Sequence, residues 1–165
     1  MRKSKPKPII MGIDPGLATT GYGIIQERAT GYHIISAGTV TTPAQMAFGK
    51  RLHTIYDDLT GLMQRYRPDV VAIEQLFFAR NVTTALTVGQ ARGVAYLAAI
   101  QMGCRICEFT PLQVKQAVTG YGQADKSQMQ KMVKQILKLR SLPRPDDMAD
   151  ALAIALCGAH THLPT

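Results

Sequence analysis

Two short apolar runs, each closed by an acid, constrain this chain more than any other feature. Ile9-Ile10-Met11-Gly12-Ile13 ends at Asp14, and Val70-Val71-Ala72-Ile73 ends at Glu74. Runs of this length without polar alternation read as strands covered on both faces. Such strands need a sheet with helices packed on it. A carboxylate closing each strand then stands at the edge where open α/β sheets place their ligands. Taken singly, each acid has an ordinary reading: Asp14 as a turn residue before Pro15-Gly16, Glu74 as a helix-capping acid.

The intervening pattern fills in the architecture. Tyr22 to Gln26 and His33 to Thr41 read as two further strands joined by a turn at Thr30-Gly31, which gives a three-stranded antiparallel meander. Phe48, Leu52, Ile55, Leu59, Leu62 and Tyr66 recur every three or four residues, so a helix is expected over Ala44 to Tyr66, ended by Pro68. A second helix over Thr83 to Met102 is apolar or small on most sides, which suits a central helix or one shared with a second subunit. Cys104 to Phe109 reads as the last strand, followed by helices over Pro111 to Thr119, Ser127 to Leu139 and Met148 to His160. The expected fold is α/β: a mixed five-stranded sheet, three antiparallel strands then two parallel, flanked by helices. Residues 1–8 read as a flexible basic arm and residues 9–165 as one domain.

The net charge of +8 on 165 residues favours a polyanionic partner, because Lys and Arg that neutralise phosphates release condensed counterions. The apolar run after the basic opening stops at Asp14, too short for a signal or a membrane span. Cys104 and Cys107 have metal-site spacing, but residues three apart on a strand face opposite ways and no second pair exists. Three cysteines without a disulfide framework point to a reducing compartment, the cytoplasm.

The third acidic group is Asp146-Asp147-Met148-Ala149-Asp150, followed by the small apolar run Ala151 to Ala155. Asp147 and Asp150 share one face of a helix at its first turn. Capping accounts for one acid there; Asp150, beside residues small enough to pack on the sheet, is less well explained that way. Four converging carboxylates repel unless cations neutralise them. Oxygen-only ligation suits Mg²⁺, with Mn²⁺ as a substitute, at one or two ions per site. Two ions about 3.5–4 Å apart can clamp a phosphodiester, one activating water and the other stabilising the leaving oxygen.

At these residues the sequence resembles the RuvC family of Holliday junction resolvases, which have a ribonuclease H-like fold. The resemblance lies in Gly12-Ile13-Asp14-Pro15-Gly16 with Gly21-Tyr22-Gly23, Ala72-Ile73-Glu74-Gln75 with Phe77, and Gly89-Gln90-Ala91-Arg92-Gly93. It continues through Thr110-Pro111 with Val114-Lys115, Ala124-Asp125-Lys126, and Asp147 to Ala153. It implies a homodimer that binds a four-way DNA junction and nicks two strands of like polarity symmetrically. Ligatable 5′-phosphate ends result, in homologous recombination and DNA repair, with a branch-migration motor as partner. It assigns the catalytic and metal-binding acids to Asp14, Glu74, Asp147 and Asp150, and DNA binding to Lys115, Lys126 and Phe77, with Phe78 an alternative to Phe77.

The residues themselves support these roles unequally. Lysine binds phosphate as a point charge, yet Lys115 and Lys126 read equally well as solvated surface lysines. Phe77-Phe78 suits a core, or an exposed ring stacked on an unpaired base. His160 and His162 are taken as tail residues. Gly12 to Gly23 also fits the first phosphate loop of an actin-like ATPase, but 165 residues cannot supply the two domains such proteins need. A related nuclease acting on RNA, or a junction-binding protein without catalysis, remains as the alternative reading.

Overall fold

Alternation along the strands sorts their side chains into two cores. In the computed structural model, which describes residues 7–76 and 82–162, Ile10 of β1 (Ile9–Asp14) joins one core and Met11 and Ile13 join the other. Val70 and Ala72 of β4 (Val70–Glu74) face the first core, and Val71 and Ile73 the second. The strands β2 (Thr19–Arg28), β3 (Gly31–Thr41) and β5 (Arg105–Phe109) complete one sheet in the order β3-β2-β1-β4-β5. β3, β2 and β1 run antiparallel, and β1, β4 and β5 run parallel, as the sequence predicts. Cys104 falls in one core and Cys107 in the other, so neither thiol can share a ligand with its neighbour.

Helices α1 (Phe48–Tyr66) and α2 (Val82–Gln101) cover one face. Helices α3 (Pro111–Thr119), α4 (Lys126–Ile136) and α5 (Asp146–His162) cover the other. α1 starts at Phe48, the first residue of the apolar stripe and four residues after the expected Ala44, because Met46 N–H closes a turn onto Pro43 O and only then does the helix begin. It ends where expected, with Arg67 in the left-handed region (φ 48°) before Pro68 and its N–H on Met63 O. α5 starts two residues earlier than expected, at Asp146, and His160 lies within it rather than in a tail. The His160 ring packs edge-on against Tyr32, and its Nδ1 lies 3.1 Å from Ala117 O. Lys7, at the end of the basic arm, is held to β2 by an ion pair with Glu27 (3.2 Å), and its carbonyl accepts from Gln26 Nε2.

What positions the functional edge is the fit of α5 onto β1 and β2. Gly12 and Gly23 are direct cross-strand partners, and Gly21 pairs with Asp14. A Cβ at Gly12 would collide with Ala151 O, and one at Gly21 with Asp147 O; at Gly23 it would lie 2.7 Å from Leu152 Cδ2. The glycines that look like a phosphate loop in the sequence are thus a groove for a helix backbone. Small residues on α5 complete the fit, with Gly158 over Ala72. The first turn of α5 is thereby laid beside the end of β1.

Candidate active site

Parallel pairing brings Asp14 and Glu74 to one edge, since Ile13 pairs with Ile73 and each acid follows directly. α5 adds Asp147 and Asp150 from its first turn, because Asp147 O is packed over Gly21, the partner of Asp14. α3 contributes Lys115, and the N-terminus of α4 contributes Lys126, fixed by a capping box between Asp125 and Gln128. Asp14, Glu74, Lys115, Lys126 and Asp150 line one pocket of about 250 Å³. Asp147 does not line it and acts on Asp14 and Asp150 through its charge. Phe77 and Phe78 lie outside the described residues.

The carboxyls of the pocket are raised by burial and by one another. Burial raises the Asp14 carboxyl to about 7, helped by Asp150, Asp147 and Glu74 and opposed by Lys126. Burial also raises Glu74, with Asp150 adding and Lys115 opposing. Asp150 is raised by burial, against the pull of Lys126. Lys126 Nζ sits 3.0 Å from Asp146 Oδ2 and 3.7 Å from Asp150 Oδ2. As they stand, no three acid, His or Cys side chains among the described residues close on one point tightly enough to hold an ion. Like charges with only lysines between them stand apart. The set still fits a hard divalent cation by its chemistry: half-buried carboxylate oxygens, destabilised by one another, with no thiol or imidazole lining the pocket.

Two contributors carry no role from the sequence. Arg92 is the one charged residue between Val82 and Gln101. Its Nε donates to Glu74 O (3.3 Å), and its guanidinium pairs with Glu108 and lies over the Tyr96 ring. It therefore ties the end of β4 to α2. Asp146 accepts from Lys126 and from Gln130 Nε2 (2.9 Å), joining the starts of α4 and α5.

The model of the family described as crossover junction endodeoxyribonuclease RuvC matches residues 10–158. The chain belongs to the RuvC family. It is 58% identical over 153 residues to the crossover junction endodeoxyribonuclease RuvC of Alkaliphilus oremlandii, covering 93% of each chain. The RuvC of Rubrobacter xylanophilus is 52% identical over 162 residues, or 98% of this chain and 90% of its own. Among solved structures, Thermus thermophilus RuvC in complex with Holliday junction substrate superposes with a TM-score of 0.87. It shares 37% identity, over 92% of this chain and 93% of that one. A yeast mitochondrial Holliday junction resolvase shares the fold at a TM-score of 0.64 and 14% identity, over 96% of this chain and 80% of that one. The ribonuclease H-like architecture expected from the sequence is thus the RuvC fold.

Proposed function

We propose that this RuvC-family chain is a crossover junction endodeoxyribonuclease that resolves four-way DNA junctions in recombination and repair. It makes paired nicks in two strands of like polarity and leaves 5′-phosphate ends. Residues 9–165 act as one nuclease domain. The observation that carries the reading is one pocket lined by Asp14, Glu74 and Asp150 together with Lys115 and Lys126, with the charge of Asp147 acting on Asp14 and Asp150. The four acids would hold Mg²⁺, or Mn²⁺ in its place. When bound, the metal polarises the scissile phosphate and lowers the pKa of the attacking water. Asp14 and Glu74 stand on rigid strand ends, so their oxygens are placed before substrate arrives. Lys115 and Lys126 neutralise the flanking phosphates and set the strand in register. Phe77, just beyond β4, is assigned to the junction centre. The test is incubation of the protein with a synthetic four-way junction, with and without Mg²⁺, beside a linear duplex and a four-way RNA junction. Symmetric metal-dependent nicking of the DNA junction alone supports the assignment; RNA cleavage, or binding without nicking, would transfer it to the alternatives.

The raised carboxyls give a pH signature. Without a divalent cation, the folded state retains protons that the unfolded chain has already released between the usual carboxylate range and about pH 7. Stability from these groups is therefore present at low pH and lost as pH rises through that window. In EDTA, Tm should fall by roughly 5 °C between pH 5 and pH 8 on this account. Added Mg²⁺ should restore it at pH 8. A Tm at pH 8 that does not respond to Mg²⁺ would count against the metal site.

A second copy of the chain is assigned to α2. Its alanines face the sheet, with Ala91, Ala95, Ala98 and Ala99 buried, while the larger Leu86, Leu97 and Ile100 are 62%, 51% and 59% exposed. Leu86, Gln90, Gly93, Leu97 and Ile100 alternate at four and three residues, the spacing of a helix–helix seam. Gly93 has open space around it and permits close approach. Leu97→Glu should shift the protein from dimer to monomer in sedimentation at micromolar concentration, with loss of paired nicking. A wild-type monomer would remove this assignment. A branch-migration motor is the expected partner in the cell. Among the described residues, no helix is long and apolar enough to cross a membrane.

A further inference from the structure

The charge of the chain is unevenly spread. Residues 126–145 hold Lys126, Lys131, Lys134, Lys138, Arg140 and Arg144 and contain no Asp or Glu. On α4, Lys126, Gln130 and Lys134 follow one another a turn apart on a single row, with Lys131 beside it. Lys138 lies past the helix end with a left-handed backbone (φ 53°), and its Nζ donates to Thr30 O (2.8 Å). The side of α4 away from Lys131 and Lys134, with Met129, Met132 and Ile136, packs into the core. Lys126 opens the row inside the acid pocket. Lys131, Lys134 and Arg140 make no salt bridge among the described residues.

Cations gathered on one face repel one another unless a polyanion covers them. An eleven-residue helix is about 16 Å long. Duplex DNA advances about 3.4 Å per base pair, so α4 spans about five of them. No aromatic residue occurs between 126 and 145, so this face has no ring on which an unpaired base could stack. We propose that the solvent face of α4, centred on Lys131 and Lys134, is a track for the backbone of the duplex arm leading away from the cleaved phosphodiester. The proposal rests on the reading of the acid pocket as a DNA nuclease site, and it adds a contact that carries no base sequence information.

The test uses the full-length protein and two double variants of equal charge change. Lys131→Gln/Lys134→Gln alters the track; Lys50→Gln/Arg65→Gln alters α1, on the opposite face of the sheet. The probes are a four-way junction and the same junction with uncharged methylphosphonate linkages across about five base pairs of one arm, beginning beyond the phosphates that flank the cut. The track variant should bind the unmodified junction about tenfold more weakly, with its salt slope reduced by about two. The wild type should lose a similar factor on the uncharged arm, where the track variant loses nothing more. An equal loss in the α1 variant, an unchanged slope, or full additivity on the uncharged arm would overturn the track. Wild-type protein that neither binds nor cuts the unmodified junction would overturn the nuclease reading as well; wild type that does both while the track variant matches it would overturn the track alone.

Discussion

Asp14→Asn is expected to slow cleavage of a four-way junction by at least about a thousandfold while changing junction affinity by no more than roughly threefold. Asp14 is the hub of the site, for it is the one carboxyl raised by Asp150, Asp147 and Glu74 together. Asparagine keeps its size and leaves the β1 pairing with Gly21 and Ile73 undisturbed. It removes the charge a divalent cation needs and cannot reproduce two equivalent oxygens. Affinity should hold because the phosphate contacts are assigned to Lys115 and Lys126, and one negative charge fewer cannot weaken attraction to DNA. The variant also separates lost chemistry from lost structure. A half-buried carboxylate crowded by like charges destabilises the metal-free fold at neutral pH, so the variant's Tm in EDTA should equal or exceed that of the wild type. Near-normal cleavage by Asp14→Asn would remove the site assignment; a collapse in Tm would assign Asp14 to structure.

The strands and the acids that close two of them were legible because their signals are local. An uninterrupted apolar run says that both faces are covered, and the acid that closes it says where the cover stops. Asp147 and Asp150 were legible from their spacing on a helix whose next residues are small. What the sequence hid is long-range. Gly12, Gly21 and Gly23 match a phosphate-loop pattern as a string, and only the placement of α5 reveals them as a bed for its backbone. The start of α1 was placed too early because Ala44 and Ala47 are strong helix formers, yet the Pro43–Met46 turn takes precedence. Arg92 carries no chemistry of its own, so its hold on Glu74 O appears only when β4 and α2 are seen together. α2 itself was readable as unusual but not as inverted, with alanine inward and leucine outward.

Gly21→Ala should be among the most damaging single-methyl changes in the chain. The added Cβ would meet the carbonyl oxygen and carbon of Asp147 and come within 3.1 Å of Met148 N. These are backbone atoms in the first turn of α5, which no rotamer change can move aside. Overpacking costs about 1–3 kcal/mol where side chains can yield, and more where they cannot. For a chain of this size, about 3 kcal/mol corresponds to a fall in Tm of roughly 6–12 °C. The displaced turn carries Asp147 and leads to Asp150, so cleavage should fall further than stability does, even at a temperature where the variant is fully folded. Gly61→Ala is the matched control. Gly61 lies within α1 with nothing near its would-be Cβ, and alanine there should raise stability by about 0.5–1 kcal/mol through helix propensity. If Gly21→Ala melted with the wild type and cut at its rate, α5 would have slack against β2. The acids could not then owe their meeting to that contact.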